Sequence, residues 1–300
     1  TIPQNTPTFI SFPKTGIRSF NSGFTVRPTC STSFYLGEVC PDENISSSST
    51  FSGLDYGIVA ISSGNLKKIE INSTHFSNND FGIYINGVNN PKIVKNDFSV
   101  GKDKLNITSR PIGIFLQNST GFRIEDNEFT NNTISILDKI GLSIKNSTYD
   151  NNQVYNNIFT NLSIGQLFLG SNYNSSNERN DEVEGLVSIC NRNYTNIQKD
   201  IRVEPILYEV YNGINPQQSY AIKINGEEKS SGANNLFTDS SGIVLQYDNN
   251  GAFINYYYNT NEALYKPTKF IGIQPMIAEY QNPCLSKIFG LYPSTINSEL

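Results

Sequence analysis

Tryptophan is absent from this 300-residue chain, and methionine and histidine occur once each. One imidazole and four cysteines, none spaced C-x-x-C, argue against a structural zinc site. Charge is also scarce: 16% of residues are charged, the net charge is -5, and no basic run occurs. A nucleic-acid partner needs a cationic stripe, so that class of function is excluded. No apolar stretch approaches the roughly 20 residues of a membrane span. The opening "TIPQNTPTF" has neither a charged start nor an apolar core, which predicts that any signal peptide is already absent.

What is abundant is neutral polarity. Asparagine makes up about one residue in seven, far above ordinary usage. Such a composition suggests disorder, yet 12% of residues are aromatic and Ile, Val, Leu, Phe and Tyr recur regularly. Disordered chains lack those residues.

The regularity is a repeat. "FGIYINGVNNPKIVKNDF" (81–98) returns as "IGIFLQNSTGFRIEDNEF" (112–129), matching Gly82 to Gly113, Ile93 to Ile124, Asn96 to Asn127 and Phe98 to Phe129. Val154, Asn157 and Phe159 continue the series. Ile71, Thr74 and Phe76 precede it; Ile189, Arg192 and Tyr194, then Asn235 and Phe237, are read as further copies. Glycine opens the apolar runs at Gly57, Gly82, Gly113, Gly141 and Gly165, a period of roughly 24 to 31 residues, inside the range of solenoids.

The apolar runs are short, β-branched and alternating, which is strand chemistry. Amphipathic helical stretches and a leucine ladder are both missing. The pattern therefore predicts an all-β parallel β-helix whose coils stack like residue on like, with Asn at a recurring turn adopting left-handed angles and bonding to the Asn above and below. Residues 1–56 are read as an N-terminal cap or degenerate first coils, 57–204 as regular coils, and 205–300 as the last coils and an irregular C-terminal cap. Ile83, Ile85, Ile93, Phe98, Ile114, Leu116, Ile124 and Phe129 are expected to point into one tube. Asn131 and Asn132 are expected on an exposed turn.

Several residues are candidates for chemistry. His75 lies between inward-facing Thr74 and Phe76, so alternation places it outside, as a solvated residue or a catalytic base. Glu125, Asp126 and Glu128 cluster in one repeat without acidic counterparts in neighbouring coils, as a solvated turn would. The loop carrying Glu178, Asp181, Glu182 and Glu184 offers carboxylates to Ca²⁺, the one cofactor considered; Asp181, Glu182 and Glu184 are its candidate ligands. Tyr256 and Tyr258 share one face of a strand, where exposed rings stack on sugars or protein and buried rings pack a cap. Cys30 and Cys40 bracket a short loop and suit a disulfide in a secreted protein. Cys190 and Cys284, far apart in sequence, are left as a bridge or two thiols.

The runs "RPIGIFLQNSTGFRIEDNEFTNN", "GLSIKNSTYDNNQVYNNIFTNLSIGQLFLG" and "GLVSICNRNYTNIQKDIRV" resemble the right-handed parallel β-helix repeat proteins secreted by Bacteroidota. The resemblance covers roughly residues 57 to 245 and implies a released or cell-surface protein exported by the type IX route. It supplies no general catalytic motif. The chain stops at "PSTINSEL" without a recognisable sorting domain, so a processed or truncated piece is expected. The function expected is a non-enzymatic stalk, adhesin or glycan-contacting scaffold meeting an extracellular glycan or protein. The alternative is a polysaccharide lyase or hydrolase.

Overall fold

The structure is a computed structural model that describes residues 13–30, 45–63, 68–102, 110–131, 138–147, 150, 152–173, 185–204, 213–224, 227–251 and 253–287. Among these residues the only helical element is the short turn Ala263–Tyr265. Strands account for the rest of the regular structure, as short alternating apolar runs require.

Three parallel sheets form the walls of a tube. The first has nine strands stacked in chain order, from Thr15–Phe20 through Tyr56–Ile61, Phe81–Asn86, Ile112–Gln117, Ile140–Lys145, Ile164–Leu169, Lys199–Glu204 and Leu245–Asn249 to Phe270–Ile271. The second stacks Phe24–Val26, Ile69–Asn72, Lys92–Val94, Arg123–Glu125, Gln153–Tyr155 and Val187–Ile189. The third stacks Ser49–Ser52, Thr74–Asn79, Asp97–Val100, Glu128–Thr130, Ile158–Thr160 and Arg192–Tyr194. Each coil visits the three sheets in turn, and the first coil already includes Thr15–Phe20. Beyond residue 204 the rhythm breaks: Gln217–Ile224 pairs antiparallel with Glu227–Gly232, then parallel with Ile254–Tyr258.

Equivalent residues stack in register. Ile83, Ile114 and Leu142 are consecutive partners in the first sheet, and Ile71, Ile93, Ile124 and Val154 in the second. All eight residues expected inside the tube are no more than 2% exposed and share one core. Phe51, Phe76, Phe98, Phe129 and Phe159 form a ring stack with centroids 5.3, 4.8, 4.7 and 4.9 Å apart.

That stack explains the recurring glycine. A Cβ on Gly113 would lie 2.7 Å from the Phe129 ring and 2.6 Å from the Gly141 carbonyl oxygen; Gly82 meets Phe98 and Gly113 in the same way. The phenylalanine of one strand fills the space its glycine leaves empty.

Beside the rings runs an asparagine ladder. The backbone N–H and Nδ2 of Asn96 both donate to Asn127 Oδ1, at 3.0 and 2.9 Å. Asn127 repeats this to Asn157 at 3.0 and 2.9 Å, Asn157 to Asn191 at 2.9 and 3.0 Å, and Asn191 to Asn235 at 3.0 and 3.1 Å. Each Nδ2 also donates back to the preceding coil, as from Asn127 to the Ile93 carbonyl at 3.0 Å. All five amides are buried.

Three expectations are corrected here. The left-handed residue is not the ladder Asn but the one before it: Ser73, Lys95, Asp126, Asn156, Cys190 and Asn234, with φ of 47°, 55°, 54°, 55°, 60° and 48°. The turn and the ladder are separate tasks given to adjacent residues. The fifth copy is shifted by one: Asn191, not Arg192, is the rung, and Asn193, not Tyr194, sits opposite Phe159. Asn131 is half-buried and accepts a bond from the fully buried Lys139 ammonium at 2.9 Å, so it is no simple exposed turn; Asn132 lies outside the described residues.

Candidate functional site

The stacking of coils brings unlike polar residues together on the outside of the third sheet. Thr50, His75, Asp97 and Glu128 are register partners on successive strands. The neighbouring corner supplies Ser73, Lys95 and Asp126. Of these, His75, Asp97, Ser73, Lys95 and Asp126 line a groove of about 650 Å³ together with Ile45, Ser48 and Ser286.

His75 is on the outer face, as alternation predicts. Its Nδ1 lies 2.8 Å from Asp97 Oδ2, with side chains 52% and 57% exposed. Asp126 is engaged on both oxygens: Asn156 Nδ2 donates to Oδ1 and Ser286 Oγ to Oδ2, each at 2.5 Å. An imidazole beside a carboxylate is the arrangement of an oriented base. The hydroxyl of Ser286, in the same groove, donates to Asp126.

The acidic cluster of this repeat is not a solvated turn. Glu125 is 1% exposed, accepting from Arg123 Nε at 2.6 Å and from the Lys287 N–H at 2.6 Å. The C-terminal segment covers it, a long-range contact that local spacing does not encode. Only Glu128 remains exposed.

Tyr256 and Tyr258 do share a face, but it is the inward one. Tyr256 is fully buried and Tyr258 7% exposed, so neither offers a ring to a ligand. Ile254, Tyr256 and Tyr258 alternate into the core, where Tyr256 packs edge-on against Phe237 and Tyr247. The Tyr256 hydroxyl accepts the Asn235 N–H at 2.9 Å, ending the asparagine ladder where no further Asn follows. Burial pushes its pKa upward.

Cys30 is disulfide-bonded, and its expected partner Cys40 lies outside the described residues. Cys190 and Cys284 are joined, with Cα atoms 5.4 Å apart across 94 residues of sequence. The calcium candidates Asp181, Glu182 and Glu184 also lie outside the described residues. Among the described residues no group of three or more His, Cys, Asp or Glu side chains is placed to hold a metal. No helix among them is long and apolar enough to cross a membrane.

Against known proteins, residues 21–196 match the family model described as right handed beta helix region. No curated protein and no solved structure matches the chain. The match spans more than half of the sequence and coincides with the stacked coils: this chain belongs to the right-handed β-helix family.

Proposed function

We propose that the chain is a non-enzymatic scaffold of the cell surface or extracellular space, a stalk or adhesin, that contacts a glycan or protein through the His75–Asp97 groove. The observation that carries this reading is the state of the groove's acids. Asp126 is engaged on both oxygens by Asn156 and Ser286, and Asp97 by His75. Hydrolysis of a glycosidic bond asks for two carboxylates about 5 to 9.5 Å apart with different protonation. A polyhydroxylated partner asks only for donors and acceptors on a rigid wall, which this column of side chains supplies. The disulfides support an oxidising compartment. Origin in Bacteroidota and type IX export belong to the same proposal and rest on the repeat motifs; type IX release would leave the chain in culture medium, and its retention in cells lacking no other secreted protein would speak against it.

The enzymatic alternative has one observation in its favour, the imidazole held by Asp97 in a groove. Incubation with pectin, alginate, heparin-like chains and neutral glycans separates the two. The scaffold reading expects retention of a glycan without new unsaturated or reducing ends, and weaker retention by His75→Ala. Turnover abolished by His75→Ala replaces it with the enzymatic reading. No cofactor enters the proposal. Calcium at Asp181, Glu182 and Glu184 is a separate branch, established by a thermal midpoint that rises with Ca²⁺ and falls on chelation, and rejected by an unchanged midpoint.

A further inference from the structure

The segment Cys284–Lys287 lies along the outside of the second sheet, fastened at its start by the Cys190–Cys284 disulfide. Its contacts follow a regular order. The Leu285 carbonyl accepts from the Tyr155 hydroxyl at 2.8 Å, and the Ser286 hydroxyl donates to Asp126 at 2.5 Å. The Lys287 N–H donates to Glu125 Oε1 at 2.6 Å. The Lys287 ammonium then reaches between two rings, 3.7 Å from the centroid of Tyr155 and 4.4 Å from that of Tyr220, and donates to Gln153 Oε1 at 3.0 Å.

This is the geometry of a peptide being read. Main-chain groups of alternate residues are held by fixed partners, and one side chain enters a specific pocket. Two ring faces and an amide oxygen attract a primary ammonium by the quadrupole of each ring and a direct hydrogen bond. Burial pushes the Lys287 ammonium down to about 8, so at neutral pH the pocket still holds a cation.

Most of the receptor belongs to the regular coils. Glu125 and Arg123 sit on one strand of the second sheet, Gln153 and Tyr155 on the next, in register. Arg123 holds the second oxygen of Glu125 at 2.6 Å independently of the tail. Site and occupant are thus built by different parts of the chain, and the Arg123–Glu125 pair and the register of the two strands need no contact from the occupant.

We propose that the Tyr155–Tyr220 cage is a recognition site for a lysine side chain on an extended peptide, filled here by the chain's own Leu285–Lys287 and open to a lysine-bearing segment of another protein when that segment is displaced. The inference does not depend on the groove binding a glycan. The disulfide sets how readily exchange occurs, because it keeps the internal occupant at high local concentration.

Two variants of the full chain test this. Lys287→Ala vacates the cage while leaving the main-chain contacts and the disulfide in place. Titrated calorimetrically, it is expected to bind n-butylammonium at least about ten-fold more tightly than n-butanol, while the wild-type protein binds neither. Equal binding of the two probes, or none, by a variant whose far-ultraviolet circular dichroism is unchanged, overturns the cage. Cys284→Ser frees the strap and is expected to bind acetyl-Leu-Ser-Lys-amide but not its norleucine counterpart. If Cys284→Ser does not fold, the disulfide-intact Lys287→Pro chain, which lacks both the N–H that reaches Glu125 and the ammonium in the cage, takes the same peptides. Equal binding of the two peptides, or of neither, overturns exchange.

Discussion

Asparagine performs two separate tasks in this chain. At the corners, Asn118, Asn146, Asn156 and Asn161 tolerate φ of 50°, 53°, 55° and 58°, which most side chains avoid. Along the ladder, Asn96, Asn127, Asn157, Asn191 and Asn235 are buried, and their amides join three coils at once. Asn127→Ala removes the acceptor of the Asn96 N–H and the donor to the Ile93 carbonyl. Each group so stranded costs about 1 to 3 kcal/mol, and urea denaturation should register the sum. Asn131→Ala takes an acceptor from the buried Lys139 ammonium and should cost more than the roughly 0.5 kcal/mol of an ordinary surface change. The ladder positions were legible because Asn recurs two residues before Phe. The division of labour was not, since "DN", "NN" and "CN" do not reveal which member turns and which bonds. In "NRN" two registers are available, and the aromatic ring of Tyr194 points to the wrong one.

Between elements, the unit of packing is a glycine on the first sheet with a phenylalanine on the third. Gly113→Ala forces a methyl group to 2.7 Å from Phe129 and 2.6 Å from a carbonyl oxygen. Overpacking of this kind costs about 1 to 3 kcal/mol, and a Phe129→Leu partner change should recover part of it in a double-mutant cycle. Full additivity would show that the two positions are not coupled. In the sixth coil the ring is lost while the glycine stays: Asn193 stands opposite Phe159 and faces Gly165, and in the next coil Asp200 takes the glycine position, stacked on Gly165. The Asp200 carboxylate accepts from Asn196 Nδ2 at 2.9 Å and from the Thr238 hydroxyl and N–H at 2.7 Å each. Burial outweighs those bonds and raises Asp200 to about 7, from 3.8. The folded state therefore keeps a proton that the unfolded chain releases, and stability falls as pH rises from about 4 to about 7, by on the order of 4 kcal/mol at most. Unfolding free energies across that window should show this slope, and Asp200→Asn should remove most of it; an equal slope in both proteins would contradict the assignment. Glycine and phenylalanine were visible as separate columns in the sequence, but their contact across the tube has no signature in spacing.

At the scale of the molecule, stacking is the part of the fold that a repeat can announce. One coil cannot bury its own apolar edge, so neighbouring coils must match, and the matching is what the sequence displays. The contacts that depart from nearest-neighbour order were not legible. The Cys190–Cys284 bridge spans 94 residues, and the strap from Leu285 to Lys287 crosses coils that precede it by 130 residues or more. Nothing local in "NPCLSK" names Tyr155 or Asp126 as its partners. For Tyr256 and Tyr258 the alternation shows that they share a face but not which way it points, so a ligand platform and a packed cap both stay open; their burial decides for packing.

The claim on which the rest depends is that buried asparagines couple each coil to the next. Hydrogen exchange on Asn127→Ala, compared with the unsubstituted protein, tests it most directly. A ladder predicts that protection falls first in the adjoining strands, Lys92–Val94, Arg123–Glu125 and Gln153–Tyr155, while Tyr56–Ile61 and Leu245–Asn249 keep theirs until global unfolding. Unchanged protection around residue 127, or a uniform loss along the whole chain, would contradict it.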